Sequence, residues 1–190
     1  MGKGAFPASH PLNLGHVGMH GSKYANYAIT NADLLIAVGA RFSDRVTGKL
    51  ADFAPYAKVI HVDVDPAEIG KNRMPQIPIV GDAKVVLSGI EEQINAEHFE
   101  PITQEWLAQI NEWREAHPFY SPGLATPTGT ISPEGALDLL SDMLEQDNSI
   151  VTTEVGQHQM WAAQHIDRDV PRTFLTLSLI HISEPTRQAE

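Results

Sequence analysis

The chain has 190 residues, room for one large domain or two small ones, and its 42% hydrophobic and 19% charged content is ordinary globular material. Its 24 acids against 13 bases give a net charge of −11, which argues against nucleic acid or an anionic membrane as the main partner. The absence of cysteine excludes disulfides and thiolate chemistry, no apolar run approaches the ~18 residues of a membrane helix, and no signal-peptide pattern is visible, all of which fits a cytoplasmic protein of bacterial type.

Met1-Gly2-Lys3-Gly4-Ala5-Phe6-Pro7 is loop chemistry with no preceding strand to anchor it. Leu12 to His20 is glycine-rich and irregular, and Ser22 to Thr30 suits a short helix with Tyr24, Ala25, Ala28 and Ile29 on one side. Asp33-Leu34-Leu35-Ile36-Ala37-Val38 reads as a buried strand, and Lys58 to Val64 as a β-branched second one. A short third strand, Gln76 to Val80, is flanked and interrupted by prolines that favour a sheet edge, and a helical run from Ala83 to Ile94 follows. Strands alternating with helices predict an α/β fold with doubly wound parallel sheets.

Trp106, Leu107, Ile110 and Trp113 form one stripe of a further helix, a pattern that reads as core packing. His117 to Gly123, then Pro127 and Gly129, have linker composition. Ser132-Pro133-Glu134 is a strong helix start, with Ala136, Leu137, Leu140, Met143 and Leu144 expected to bury one face. Asp147-Asn148-Ser149 turns the chain into a strand, Ile150 to Thr153, and Gln157 to Gln164 can form a helix.

The decade Gly39-Ala40-Arg41-Phe42-Ser43-Asp44-Arg45-Val46-Thr47-Gly48 is the most informative stretch. A glycine at a strand end permits close approach of a ligand, and two arginines four apart supply donor forks for phosphate or carboxylate. The alternative for Arg41 and Arg45 is surface ion pairing, and Asp44 either orients Arg45 or is solvated. Asp63, about one βα step on, suits a ribose hydroxyl, whereas Asp65 with Pro66 suits a helix cap. No GxGxxG follows the first strand, so the standard dinucleotide fingerprint is absent.

Met19-His20-Gly21 lies in an open glycine loop, where a histidine is as readily solvated as functional. Val155-Gly156-Gln157-His158 sits where a strand meets a helix N-terminus, a place for phosphate or for a simple cap. His16 and His20 have HxxxH spacing but lack the helical context and acid of a zinc motif, so no metal ligand is assigned. From Leu177 to Glu190 the sequence resembles the in-frame translation of a sequencing-library adaptor and is expected to be non-native.

Gly4-Ala5-Phe6-Pro7, Leu14 to Gly21, Gly39 to Gly48, His61 to Asn72 and Thr153 to Gln164 closely resemble the acetolactate (acetohydroxyacid) synthase large subunit family, with similarity from Gly2 to Thr176. Ser43 departs from the acid frequent at its position. The resemblance implies a piece of a thiamine-diphosphate enzyme that also binds FAD and Mg2+. Such an enzyme joins two pyruvates into 2-acetolactate with loss of CO2, or pyruvate with 2-oxobutyrate, in branched-chain amino-acid biosynthesis. It implies a partial central FAD-binding domain over residues 1–97, a linker over 98–127 and the start of the thiamine-diphosphate domain over 128–176, with 177–190 the adaptor-like tail.

By position, Met19, His20, Gly21, Gly39, Arg41, Arg45, Asp63 and Asp82 would line the flavin site. Asp44 and Arg45 would face the substrate channel. Val155, Gly156, Gln157 and His158 would meet thiamine diphosphate. The family's activating glutamate and its metal-holding GDG…N segment match nothing here, Glu154 included, so no catalytic residue is assigned and the chain alone is expected to be inactive. The family pairs subunits, which implies a homodimer or higher oligomer and admits a regulatory small subunit. Competing readings are another thiamine-diphosphate enzyme, of glyoxylate carboligase or pyruvate oxidase type, and a non-catalytic FAD- or nucleotide-binding module.

Overall fold

The computed structural model describes residues 2–98, 101–119, 128–144 and 149–176. The adaptor-like tail, the linker residues 120–127 and the Asp147-Asn148 turn lie outside them. The chain divides into two compact units, Val17–Pro118 and Met1–His16 with Phe119–Glu190.

The first unit opens with α1 (Lys23–Asn31), whose N-cap Ser22 accepts the Ala25 N–H and whose Ala25 and Ala28 are buried. Then come β1 (Leu34–Val38), the single turn α2 (Asp44–Thr47), β2 (Lys58–Asp63), β3 (Ile77–Val80), α3 (Ala83–Ala96) and α4 (Gln104–Ala116). The strands form a parallel sheet in the order β1-β2-β3, with β3 at an edge as its prolines predict. On the Trp-bearing helix α4 only Ile110 is buried, while Trp113 meets Trp106 edge-on at 5.7 Å and Tyr27 of α1 at 5.8 Å. The core cluster is Ala37, Phe42, Phe53, Ala54, Ala57 and Val59.

Two expectations fail here. The strand β1 is not buried on both faces: Leu34, Ile36 and Val38 are 48%, 45% and 37% exposed, and Ala37 alone is buried. A continuous apolar run reports the capacity for two-sided burial, but only one face is covered by the described elements. Asp65 accepts the Ala67 N–H at 2.9 Å, yet residues 66–70 form a turn instead of a helix.

In the second unit, α5 (Pro133–Leu144) starts where Ser132 Oγ accepts the Gly135 N–H at 2.8 Å. The strands β4 (Val151–Thr153) and β5 (Phe174–Thr176) pair in parallel, with α6 (Gln157–His165) between them. Ala162, Ile166 and Phe174 form its core, packed against Leu137, Leu144 and Val151. The buried positions of α5 are Gly135 and Ser141, while Leu140 and Met143 are exposed, contrary to the predicted face. Ser141 is drawn inward because its hydroxyl accepts the Asp167 N–H at 2.9 Å.

The opening loop is anchored after all, by polar contacts within this unit instead of by a strand. Lys3 Nζ donates to the Ala163 carbonyl at 2.7 Å, and Ala8 N–H to the Arg168 carbonyl at 3.3 Å. Ser9 donates through both backbone and hydroxyl to the Asp169 carboxylate.

Candidate functional site

The parallel register brings the carboxyl ends of β1, β2 and β3 to one level. Gly39 N–H donates to the Val62 carbonyl at 2.8 Å, and Gly81 N–H to that of Asp63 at 3.0 Å. Gly39, Asp63 and the Gly81-Asp82 corner are therefore neighbours at the edge where open α/β sheets bind ligands. At Gly39 φ is +61°, and a Cβ built there would meet nothing within 4 Å. The turn is left-handed and opens onto free space, which is what glycine permits at a ligand approach.

Beyond Gly39 the chain dives inward at Phe42. This residue holds φ at +49° although it is not glycine, and its ring is buried edge-on against His61 at 5.1 Å and Phe53 at 6.0 Å. Phe42 thus plugs the turn into the core while the flanking Arg41 and Arg45 remain exposed. Asn72 Nδ2 donates to the Arg41 carbonyl at 2.9 Å, tying the turn to the segment between β2 and β3. Among the described residues, neither guanidinium enters an ion pair. Asp44 accepts the Arg45 backbone N–H at 2.9 Å, so its carboxylate organises the start of α2.

The glycine loop joins this cluster. Met19 N–H donates to the Arg45 carbonyl at 2.9 Å, and Gly21 N–H to that of Gly18 at 3.0 Å. A Cβ on Gly18 would stand 2.4 Å from the Arg45 carbonyl oxygen and 2.7 Å from Val46 Cα, so loop and helix touch backbone to backbone. Met19 is exposed and His20 half-buried. Asp63 is buried and accepts the Asp65 N–H at 2.9 Å. Asp82 caps α3 through the N–H groups of Lys84 and Val85, at 3.0 and 3.1 Å.

Of the predicted residues, Met19 and Arg45 are joined directly backbone to backbone, Gly21 turns back onto Gly18 of the same loop, and Gly39, Asp63 and Asp82 lie at the ends of adjacent strands, with Arg41 two residues past Gly39. Guanidiniums unpaired among the described residues, beside an open glycine turn, suit an anionic ligand.

In the second unit Gly156 is the N-cap of α6 in extended geometry, and among the described residues no side chain caps the helix. Val155 and Gly156 are half-buried, Gln157 and His158 exposed. That uncapped N-terminus, with its dipole, fits a diphosphate. Burial lowers the Lys3 pKa, against the pull of Asp167. The His16 pKa is lowered by burial and then by Lys3, with a hydrogen bond to the Ala163 carbonyl opposing. Ser9 holds the Asp169 carboxyl below its usual range. Among the described residues no three His, Asp or Glu side chains converge to hold a metal, so no magnesium site is assigned.

Comparison with known proteins gives the family. Residues 1–90 match the family model described as thiamine pyrophosphate enzyme, central domain. The acetolactate synthase large subunit of Parasynechococcus marenigrum is 49% identical over 176 residues, 93% of this chain and 28% of that protein. The probable acetolactate synthase large subunit of Methanocaldococcus jannaschii is 48% identical over 180 residues, covering 92% and 30%. The acetolactate synthase of Mycobacterium bovis is 47% identical over 178 residues, covering 92% and 28%. The chain belongs to the acetolactate synthase large-subunit family.

It spans under a third of the length of these curated relatives. Within this family member, sequence reasoning missed the residues that brace the site. Asn26, Phe42, His61 and Asn72 were given no role of their own, although the last three lie in runs that carry the family resemblance; an asparagine in a helix and an aromatic in a turn look generic until their partners are seen. Phe42 alone had a signal, as an apolar side chain between two arginines where a solvated loop would be polar.

Proposed function

We propose that this chain forms the flavin-binding portion and the opening of the thiamine-diphosphate portion of an acetolactate synthase. The enzyme would join two pyruvates into 2-acetolactate and CO2, or pyruvate with 2-oxobutyrate, as a homodimer or higher oligomer. The observation that carries the reading is the pair of exposed guanidiniums, Arg41 and Arg45, unpaired among the described residues of an acidic chain and set at the carboxyl ends of parallel strands.

In this reading Arg41 and Arg45 bind the anionic half of FAD, Asp63 accepts from ribose hydroxyls, and Met19, His20 and Gly21 lie against the cofactor over the Gly39 turn. Asp82 adds a carboxylate at the neighbouring strand end while capping α3. Arg45, its backbone held by Asp44, also attracts the carboxylate of the incoming substrate. In the second unit, the N–H groups at Val155 to His158 hold the diphosphate. When bound, thiamine diphosphate supplies the carbanion stabilisation that decarboxylation and carbon–carbon joining require. The protein groups orient the cofactors and exclude competing geometries.

The test is made on the holoenzyme that carries this chain. Purified without denaturant, it is expected to be yellow and to convert pyruvate to acetolactate when given thiamine diphosphate. Arg41→Ala and Arg45→Ala should each lose flavin. A colourless enzyme, or arginine variants that keep a full flavin complement, would overturn the proposal. Phosphate-dependent formation of acetyl phosphate would reassign it to the pyruvate oxidase type.

A further inference from the structure

The glycine loop and α2 meet backbone to backbone at Gly18, and a side chain of α1 grips that glycine. Asn26, in α1, accepts the Gly18 N–H through Oδ1 at 2.8 Å and donates through Nδ2 to the Gly18 carbonyl at 3.0 Å. Both faces of the Gly18 residue are thereby engaged, and the two bonds fix the orientation of the amide. Gly18 is pressed against Arg45 and Val46 with no room for a Cβ, and the next residue, Met19, donates to the Arg45 carbonyl at 2.9 Å. Asn26 is itself fixed in the first turn of α1, where its N–H donates to the carbonyl of the N-cap Ser22 at 3.1 Å.

We propose that Asn26 is a positioning residue: by gripping Gly18 through both of its backbone polar groups, it anchors the Met19–Gly21 loop to α1 at the place where the loop backbone meets the arginine-bearing helix α2, so that the two segments meet the flavin as a single body. The proposal rests on the flavin reading above. Neither Met19 nor His20 has a rigid element of its own, since both sit between glycines in an irregular stretch. Without the amide grip, Gly18 would regain the broad backbone freedom of glycine, and the loop would sample positions away from Arg45. A group placed on a scaffold-held loop loses less entropy when the ligand arrives.

The test is a double-mutant cycle on flavin dissociation, read in the holoenzyme well below its melting temperature. Asn26→Ala should raise the flavin dissociation constant roughly tenfold, which corresponds to about 1.4 kcal/mol. It should also change the visible-region circular dichroism of the bound flavin. In the Asn26→Ala background Arg45→Ala should add far less than it does alone, because the loop and the helix no longer act together. Should Asn26→Ala fail to fold, Asn26→Asp, which keeps the acceptor for Gly18 N–H but not the donor, serves the same comparison.

Wild-type flavin affinity in the Asn26 variant, or effects that multiply fully with those of Arg45→Ala, would overturn the positioning role while leaving the flavin site standing. Unchanged affinity in Arg45→Ala alone would overturn the flavin reading, and this role with it.

Discussion

Replacing Phe42 by alanine and, separately, by glycine tests how the arginine turn is held. The ring is 6% exposed and contacts His61 and Phe53 edge-on. Truncation to alanine should cost about 3 to 5 kcal/mol, the usual range for a buried aromatic. Alanine keeps the strain of a side chain at φ +49°, whereas glycine relieves roughly 1–2 kcal/mol of it. Glycine also adds about 0.5–1 kcal/mol of unfolded-chain entropy. The glycine variant should therefore equal the alanine variant or exceed it by up to about 1.5 kcal/mol, the reverse of their order at an ordinary position.

Urea unfolding followed by tryptophan fluorescence in a Trp161→Phe background would report Trp106 and Trp113, both in the first unit. With a slope of roughly 1–3 kcal/mol per molar, the Phe42→Ala midpoint should fall by at least about 1 M. Phe42→Gly clearly less stable than Phe42→Ala would refute the left-handed backbone, and a loss under ~1 kcal/mol in both would refute the plug.

Asp82→Ala should destabilise α3 by about 1 kcal/mol through loss of its cap, while Asp82→Ser, which can still accept from the first-turn N–H groups, should recover most of it; equal urea midpoints for the two variants would remove the capping role. Acidification should loosen the anchored opening loop. A base with a lowered folded pKa takes up its proton more readily when unfolded, so the His16 contribution weakens as pH falls below its ordinary 6.5. Asp169, an acid held low by Ser9, loses its contribution as pH falls through its own lowered value. Protection of the residue 3–16 amides, taken relative to the intrinsic exchange rate at each pH, should fall from neutral pH to about pH 5. Protection that stays constant, or that is unaffected by His16→Phe, would contradict the assignment.

The elements were largely legible because their signals are local. Ser22 and Ser132 each precede a helix whose N–H they accept, and the prolines at 75 and 78 mark an edge strand. The Gly39 turn and its exposed arginines were legible as a break in the chain at the end of β1. Their arrangement with Met19 and His20 was not, since it depends on a backbone contact at Gly18 across a long sequence gap. Burial was the weakest inference. Leu140 and Met143 are apolar at helical spacing yet exposed, while Ser141 is buried because its hydroxyl finds the Asp167 N–H.

By itself the sequence determined the succession of strands and helices, the glycine and arginine chemistry at the end of β1, and the family, because each is written in adjacent residues and their period. Only the tertiary structure decided which apolar faces are covered, that Phe42 enters the core with a left-handed backbone, and that Asn26 couples a loop to a helix. Those outcomes are contacts between residues far apart in the chain, and their energy exists only once the backbone has brought the partners together.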